Sequence, residues 1–295
     1  MSVPVSLPPT TQAHLDGVRR YYEQNTRLFM ALGNDRAMHT IHRALWPEGV
    51  HDLESALNYS SELILSEIRA YEREHPSQAL TVLDLGCGVG GSLFYLARHL
   101  PTTARLIGLT LSPIQAQLAG RSAQRLGLQS ASWFVEADFL HLPVSVAADV
   151  AFSIEAFAHA ADPARFFEQA ARILKPGGRL LLLDDFIAEE FAKPPAYDWA
   201  GEFQRGWHLP KLDRASHMLE LARRYSLRWT ANIDLTPCLR LRAWPDLLAA
   251  SLLTVARRWP TQPPIVSSLL GSLAQQNGFK HGQLAYRWLA FERGS

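Results

Sequence analysis

Cysteine is scarce in this chain. Cys87 and Cys238 are the two thiols in 295 residues, and they lie far apart. That excludes a disulfide framework and any cysteine-based metal spacing, and it points to a reducing, cytoplasmic setting. An excess of one charge is also missing. Lys and Arg number 29 against 28 Asp and Glu, a formal net charge of +1. No overall electrostatic footprint for nucleic acid follows, and nucleic acid is not expected as a partner. Long apolar runs are absent as well. The most apolar late stretch, residues 247–256, is far shorter than the roughly 20 residues that span a bilayer, so stable membrane insertion is not expected. The opening MSVPVSLPPT has no basic region followed by an apolar run. It reads as a Pro-rich flexible tail over residues 1–12 and not as a signal peptide. No internal repeat is visible.

What is present is material for a core. Hydrophobic residues make up 47% and charged residues 19%, which suits one large domain or a core with a substantial cap. Residues 13–73 read as mostly helical, stopped by Pro76, and define a cap over 13–76. Alternation follows: strands at 79–85, 104–109, 132–136, 149–154 and 179–186, with helices at 91–99, 112–126 and from Asp162-Pro163 to the Lys175-Pro176-Gly177-Gly178 stop. Strand–helix alternation predicts an α/β core with a parallel sheet, over residues 77–186. Regularity lapses over 187–207. Pro194, Pro195 and the aromatics Phe191, Tyr197, Trp199 and Phe203 there suggest a lid or pocket segment. A helix at 212–225, a strand at 227–235 and a helical stretch at 241–277 with a proline break at 260–264 complete a substrate segment, 187–280. Residues 281–295 hold the last strand.

The most informative stretch is VLDLGCGVGG at 82–91. A short apolar run carrying Asp84 feeds Gly86, Gly88 and Gly90. Glycines at such a turn let the backbone approach a ligand closely. Dinucleotide folds aim this turn at a pyrophosphate anion, which the Asp84 carboxylate would repel. The acid suits a ligand with cationic groups, and S-adenosylmethionine carries an ammonium and a sulfonium.

Three further stretches follow in order: GLTLSPIQAQLA at 108–119, FVEADFLHLP at 134–143 and SIEAFAHAADPARFFEQAARILKPGGRLLLLD at 153–184. With them the core resembles class I S-adenosylmethionine-dependent methyltransferases, and within these the sterol and tocopherol C-methyltransferase group. The resemblance is strong over about 80–186 and loose in the flanks. It implies a Rossmann-like core, a mostly parallel seven-stranded sheet flanked by helices, with an N-terminal helical cap and an inserted helical lid. It also implies S-adenosylmethionine as cofactor and S-adenosylhomocysteine as product.

The resemblance further implies roles for residues. Gly86, Cys87, Gly88 and Gly90 form the loop around the methionine end, with Asp84 ordering it or pairing with the ammonium. Cys87 has no evident His partner and reads as a packed residue, not a nucleophile. The usual acid for the ribose is replaced by Thr110, with the backbone near Leu111. Asp138 stands where the family accepts from the adenine amino group, beside Phe139. Tyr21 or Tyr22 belongs to a helix that closes over the cofactor, or packs as an ordinary helix face.

Glu155 directly follows the fourth strand, near the position of a sulfonium. A nearby cation would keep it ionised. It is the expected base, or a loop carboxylate that only orders the cofactor. His159 and His208 are further candidates for a base near neutral pH. Asp184-Asp185 ends the fifth strand, facing the acceptor or capping the strand. His39, His42 and Trp46 form a polar-aromatic cluster.

Eight Trp, eight Tyr and thirteen Phe, several in the lid-like stretch, suggest an aromatic acceptor pocket. The expected activity is C-methylation of a small hydrophobic, isoprenoid-type alkene through a carbocation and deprotonation. One alternative is O- or N-methylation of an aromatic natural product with a His base. Another is a cofactor-binding partner protein without transfer activity. For a prenyl diphosphate acceptor, Arg19, Arg20, Arg43 and Arg205 are candidates for the phosphates, and Mg²⁺ enters only in that case, since no DDxxD-type motif occurs. No metal ligands are assigned, and the sequence leaves room for a homo-oligomer.

Overall fold

The computed structural model describes residues 42–76, 79–142, 146–191, 197–242, 245–257 and 264–294. Arg19, Arg20, Tyr21, Tyr22 and His39, with residues 13–41 of the expected cap, lie outside the described residues. One seven-stranded sheet runs in the order β3-β2-β1-β4-β5-β7-β6. Its strands are β1 (Thr81–Leu85), β2 (Arg105–Thr110), β3 (Ser132–Glu136), β4 (Ala148–Ile154), β5 (Leu174–Ile187), β6 (Leu227–Asp234) and β7 (Leu284–Arg293). Strands β1 to β5 are parallel to their neighbours, whereas β7 pairs antiparallel with both β5 and β6.

Eight α-helices occur among the described residues: α1 (Leu53–Glu74), α2 (Gly91–His99), α3 (Pro113–Leu126), α4 (Pro163–Ile173), α5 (Trp199–Gly206), α6 (Ala215–Arg223), α7 (Asp246–Ala256) and α8 (Pro264–Lys280). Their ends are written in the sequence. Asp52, Ser112 and Asp162 each accept a backbone N–H of the first turn, and Pro113 and Pro163 open α3 and α4. A side-chain cap satisfies a donor left without an intrahelical partner, and proline at the first turn has no N–H to lose. No helix among the described residues is long and apolar enough to cross a membrane.

Successive residues on a strand face opposite sides of the sheet, and the two cores follow that period. Leu181, Leu183, Tyr286 and Trp288 join one cluster with α1, α2, α5 and α8. Leu180, Leu182, Leu289 and Phe291 join the other, with α4 and α6. Central strands β1 and β4 are buried along their whole length, as expected for a sheet covered on both faces.

Three expectations change. Residues 43–47 carry no helix or strand, within a segment read as mostly helical. Pro47 disfavours a helical conformation at Trp46, and the segment finds its bonds elsewhere: Leu45 N–H donates to Ala56 O at 2.9 Å and Trp46 N–H to Cys238 O at 2.7 Å. The stretch 187–207, read as irregular, contains α5, capped by Asp198 at Gly201 N–H, with Trp199 and Phe203 turned into the core. The stop at 175–178 is not a free loop either. β5 begins at Leu174, pairs there with Ala148, and resumes regular pairing at Arg179 after a bulge. Lys175 anchors that bulge on buried Asp149 at 2.8 Å, and Gly177 takes a φ of +75°.

Candidate active site

Order reverses between β1 and β4, and ligands of open α/β sheets bind in the crevice outside the strands' carboxyl ends at such a point. The turn after β1 is tightly built. Gly86 has a φ of +133°, and a Cβ there would lie 2.3 Å from Ala156 Cβ. Gly90 has a φ of +92° and sits under Phe94 and Phe134, within 3.0 Å of where a Cβ would project. Cys87 N–H donates to Leu109 O at 2.8 Å, tying the turn to β2. The Cys87 thiol is buried against Gly108, and burial, aided by the charge of Asp84, pushes it well above its ordinary range. It is a packing group.

Asp84 is 4% exposed. Its carboxyl makes no hydrogen bond or ion pair with any described residue, and burial alone drives it well above the usual carboxylate range. An unpaired buried carboxyl is costly, and a cationic ligand group would recover that cost. This orphaned acid beside a glycine turn fits the ammonium end of S-adenosylmethionine.

The other expected cofactor residues are engaged within the protein. Thr110 donates to Gln115 Oε1 at 2.8 Å and accepts from Ser112 N–H at 3.2 Å, with Leu111 half-buried beside it. Asp138 accepts from Leu140 N–H and from the His141 ring, each at 2.8 Å. The Phe139 ring packs edge-on against Phe166 at 5.3 Å.

The fourth strand ends at Glu155, whose φ of +51° is rare for a residue with a side chain. Three donors converge on its Oε1: Arg43 N–H at 3.1 Å, Arg43 Nε at 2.9 Å and Tyr286 Oη at 2.7 Å. The same guanidinium forks onto both oxygens of Asp185 at 2.8 and 2.7 Å and lies 4.2 Å over the Tyr286 ring. Gln275 Nε2 adds a bond to Asp185 Oδ2 at 2.6 Å. Burial raises the Glu155 carboxyl, but Arg43, His42 and the hydrogen bonds outweigh it and hold the group below its ordinary value. Glu155 is therefore a carboxylate at neutral pH. Burial and the charge of Asp185 push neighbouring Asp184 up to about 8. Burial also lowers the His42 imidazole, whose Nε2 contacts Ser92 Oγ at 3.3 Å.

These groups close one end of a cavity of about 420 Å³. Glu155, His159, Asp184 and Asp185 face it from the sheet, and Trp46, Phe203, Trp207, Leu209, Leu239 and Phe279 supply apolar wall. His159 is 8% exposed, in a 3₁₀ turn over Phe157–His159. His208 is exposed and not among the lining residues, although Trp207 and Leu209 on either side are. Two arginines considered for phosphate are occupied: Arg43 by Asp185 and Glu155, Arg205 by Glu202. Among the described residues no group of three or more His, Cys, Asp or Glu is arranged to hold a metal ion.

Sequence reasoning missed Tyr286, Gln275 and Phe279. The signal for the last two was there, since 272, 275, 276 and 279 fall at helical spacing on α8 and all line the cavity. Nothing local marks Tyr286, which reaches Glu155 only because β7 inserts beside β5.

A family model described as a methyltransferase domain matches residues 83–182. A chloroplastic tocopherol O-methyltransferase of Arabidopsis thaliana is 26% identical over 266 residues, 82% of this chain and 71% of that protein. The 24-methylenesterol C-methyltransferase 2 of Oryza sativa subsp. japonica is 29% identical over 209 residues, 66% of this chain and 57% of that protein. The chain thus spans little more than half the length of the sterol enzyme it matches. The names of these relatives include both O- and C-methylation. A solved geranyl diphosphate methyltransferase, in complex with GPP and sinefungin, shares the fold with a TM-score of 0.73 at 18% identity, over 95% of this chain and 99% of that one. Domain match, relatives and sheet order agree: residues 83–182 carry a methyltransferase domain, in a chain similar to S-adenosylmethionine-dependent methyltransferases and sharing their fold.

Proposed function

We propose that the protein methylates carbon on a small hydrophobic acceptor of isoprenoid type, with Glu155 as the base that completes the reaction. The observation that carries this reading is the cavity of about 420 Å³, aromatic along its walls, with an ionised Glu155 at its sheet end. The names of the tocopherol and sterol relatives and of the geranyl diphosphate structure support the substrate class.

S-adenosylmethionine, when bound, supplies an electrophilic methyl on a sulfonium. The chain's own residues do the rest. Asp84 and the 86–90 turn hold the amino-acid end, and the walls exclude water and fix the acceptor; orientation of this kind is worth roughly 7–11 kcal/mol of barrier. Carbon–carbon bond formation would use the alkene's π electrons while the S–CH₃ bond breaks with its electron pair left on sulfur, so that S-adenosylhomocysteine departs as a neutral thioether and a cation remains on the adjacent carbon. Aromatic faces stabilise such a cation. Glu155 then takes a proton from a neighbouring carbon, and the C–H electrons restore an alkene. Donors crowd its Oε1, so Oε2 is the accepting atom.

A carboxylate held below its ordinary value is a weak base. It suits the very acidic proton beside a carbocation and is a poor match for a phenol. That argument favours carbon over oxygen. Phenol O-methylation is the second reading, with His159 as base, because it lines the same cavity and the Arabidopsis relative is an O-methyltransferase.

Incubation with methyl-labelled cofactor and a panel of prenyl alcohols, prenyl diphosphates, quinols and phenols, read by mass, separates these readings. Label on carbon is expected. Glu155→Gln should lower product formation by about 100-fold or more, while cofactor affinity stays within a few-fold. Full activity in that variant rejects Glu155 as base, and transfer to oxygen favours the His159 reading. Cofactor binding without transfer to any acceptor would leave a binding protein.

A further inference from the structure

We propose that Arg240 is the anion-binding end of the acceptor cavity and takes a carboxylate or phosphate head carried by the hydrophobic acceptor. The inference rests on the reading of the cavity as an acceptor site and names a feature of the molecule that fills it.

Among the described residues two arginines line the cavity, Arg43 and Arg240, and their situations are opposite. Arg43 is held between Asp185 and Glu155 at the sheet end. Arg240 has no carboxylate partner among the described residues, yet its place is fixed. The bond from Trp46 N–H to Cys238 O joins the 43–47 segment to the chain just before Arg240. Its guanidinium then lies 3.4 Å over the Trp46 ring. Stacking uses the face of the guanidinium and leaves its in-plane N–H donors available. Those donors form a fork that matches a carboxylate or phosphate with two parallel bonds. Ser272 and Gln276 of α8 line the same cavity with further polar groups.

The cavity is therefore polar in a directional sense. Its sheet end carries three acidic residues and one compensating arginine, and an anionic head placed there would meet like charge. Its Arg240 side carries a cation without an acidic partner among the described residues. An amphipathic acceptor with an anion at one end fits in one orientation only. That orientation carries its apolar body along Trp46, Leu239 and Phe279 towards Glu155. Arg240 would then be a positioning residue, deciding which carbon stands at the reacting centre.

Matched ligand series test this. Binding is measured by calorimetry to the full chain saturated with S-adenosylhomocysteine. One series is geraniol, geranic acid and geranyl monophosphate; the other is decanol and decanoate. Wild-type protein is expected to bind an anionic member at least about tenfold more tightly than its alcohol, and to lose much of that preference in high salt. In Arg240→Ala the preference should shrink to within about twofold while alcohol affinity is unchanged, and Arg240→Lys should keep part of it because charge remains but the fork is lost. The acid and monophosphate arms show which head is taken. Equal binding of alcohol and anion, or a preference that survives in Arg240→Ala, overturns the subsite and leaves the acceptor cavity standing. Failure of every member of both series to bind overturns the acceptor reading, and the subsite with it.

Discussion

Around Asp84 and around Glu155 the same end of one sheet is furnished in two ways. The Asp84 side is made of backbone: a strand, a turn of Gly86, Gly88 and Gly90, and neighbours such as Ala156 and Phe134 that leave no room for a Cβ. Its one buried charge has no partner among the described residues. The Glu155 side is made of side chains that compensate one another across the chain. Arg43 and Asp185 are 142 residues apart, Tyr286 and Glu155 are 131, and Gln275 and Asp185 are 90. One region leaves its carboxyl without a partner among the described residues. The other supplies its own cation from the polypeptide.

The largest expected effect breaks the second region. Arg43→Ala leaves Asp185, 4% exposed on its side chain, and Glu155 without their counter-ion. A loss of about 3–5 kcal/mol is expected, as for a broken buried pair, measured by denaturant unfolding. The contribution of Glu155 to the pH dependence should also invert. In the wild type, the depressed Glu155 contributes stability above the ordinary carboxylate value of 4.5 and loses it as pH falls below. In the variant Glu155 joins Asp185, which burial already raises, above its unfolded value, so its contribution should grow as pH falls through that range. An unchanged profile would show that Arg43 does not hold the cluster.

Next in size, Asp84→Asn tests the first region. Affinity for S-adenosylhomocysteine should drop by about 100-fold, the order expected for losing a charge-assisted bond in a buried site. The ligand-free variant should melt a few degrees higher, because an ionisable carboxyl is no longer held buried without a partner. Weaker binding with lower ligand-free stability would mean that Asp84 already has a partner in the protein.

The smallest effect concerns Asp184. Its carboxyl is raised to about 8 by burial and by Asp185, so the folded state holds a proton that the unfolded state releases near pH 4. Stability from this group is present at low pH and is lost as pH rises towards 8. Asp184→Asn should flatten that decline, changing the melting temperature by a few degrees between pH 5 and 8. A decline that persists unchanged places its origin elsewhere.

Much of the first region is legible in the amino-acid sequence. Glycines with positive φ, Asp84 ahead of the turn, and the caps Ser112-Pro113 and Asp162-Pro163 are local statements, each settled within a few residues by backbone sterics and hydrogen bonding. Local pattern misleads where long-range contacts override it. Prolines and aromatics make 187–207 look irregular, yet Asp198 caps a helix there, held by the burial of Trp199 and Phe203. The pattern ahead of Leu53 looks helical, yet Pro47 and backbone bonds to the Ala56 and Cys238 carbonyls accompany a segment without helix at 43–47.

The sequence alone determined the alternating strands and helices, the glycine turn and the acid that precedes it, because these depend on residues that are neighbours in the chain. Only the tertiary structure decided that Arg43 would clamp Glu155 and Asp185, that Tyr286 would reach the same carboxylate, and that Arg240 would stack on Trp46 beside the cavity with no acidic partner among the described residues. Electrostatic pairing acts through space over a few ångströms, so partners more than a hundred residues apart have no signature until the sheet brings them together.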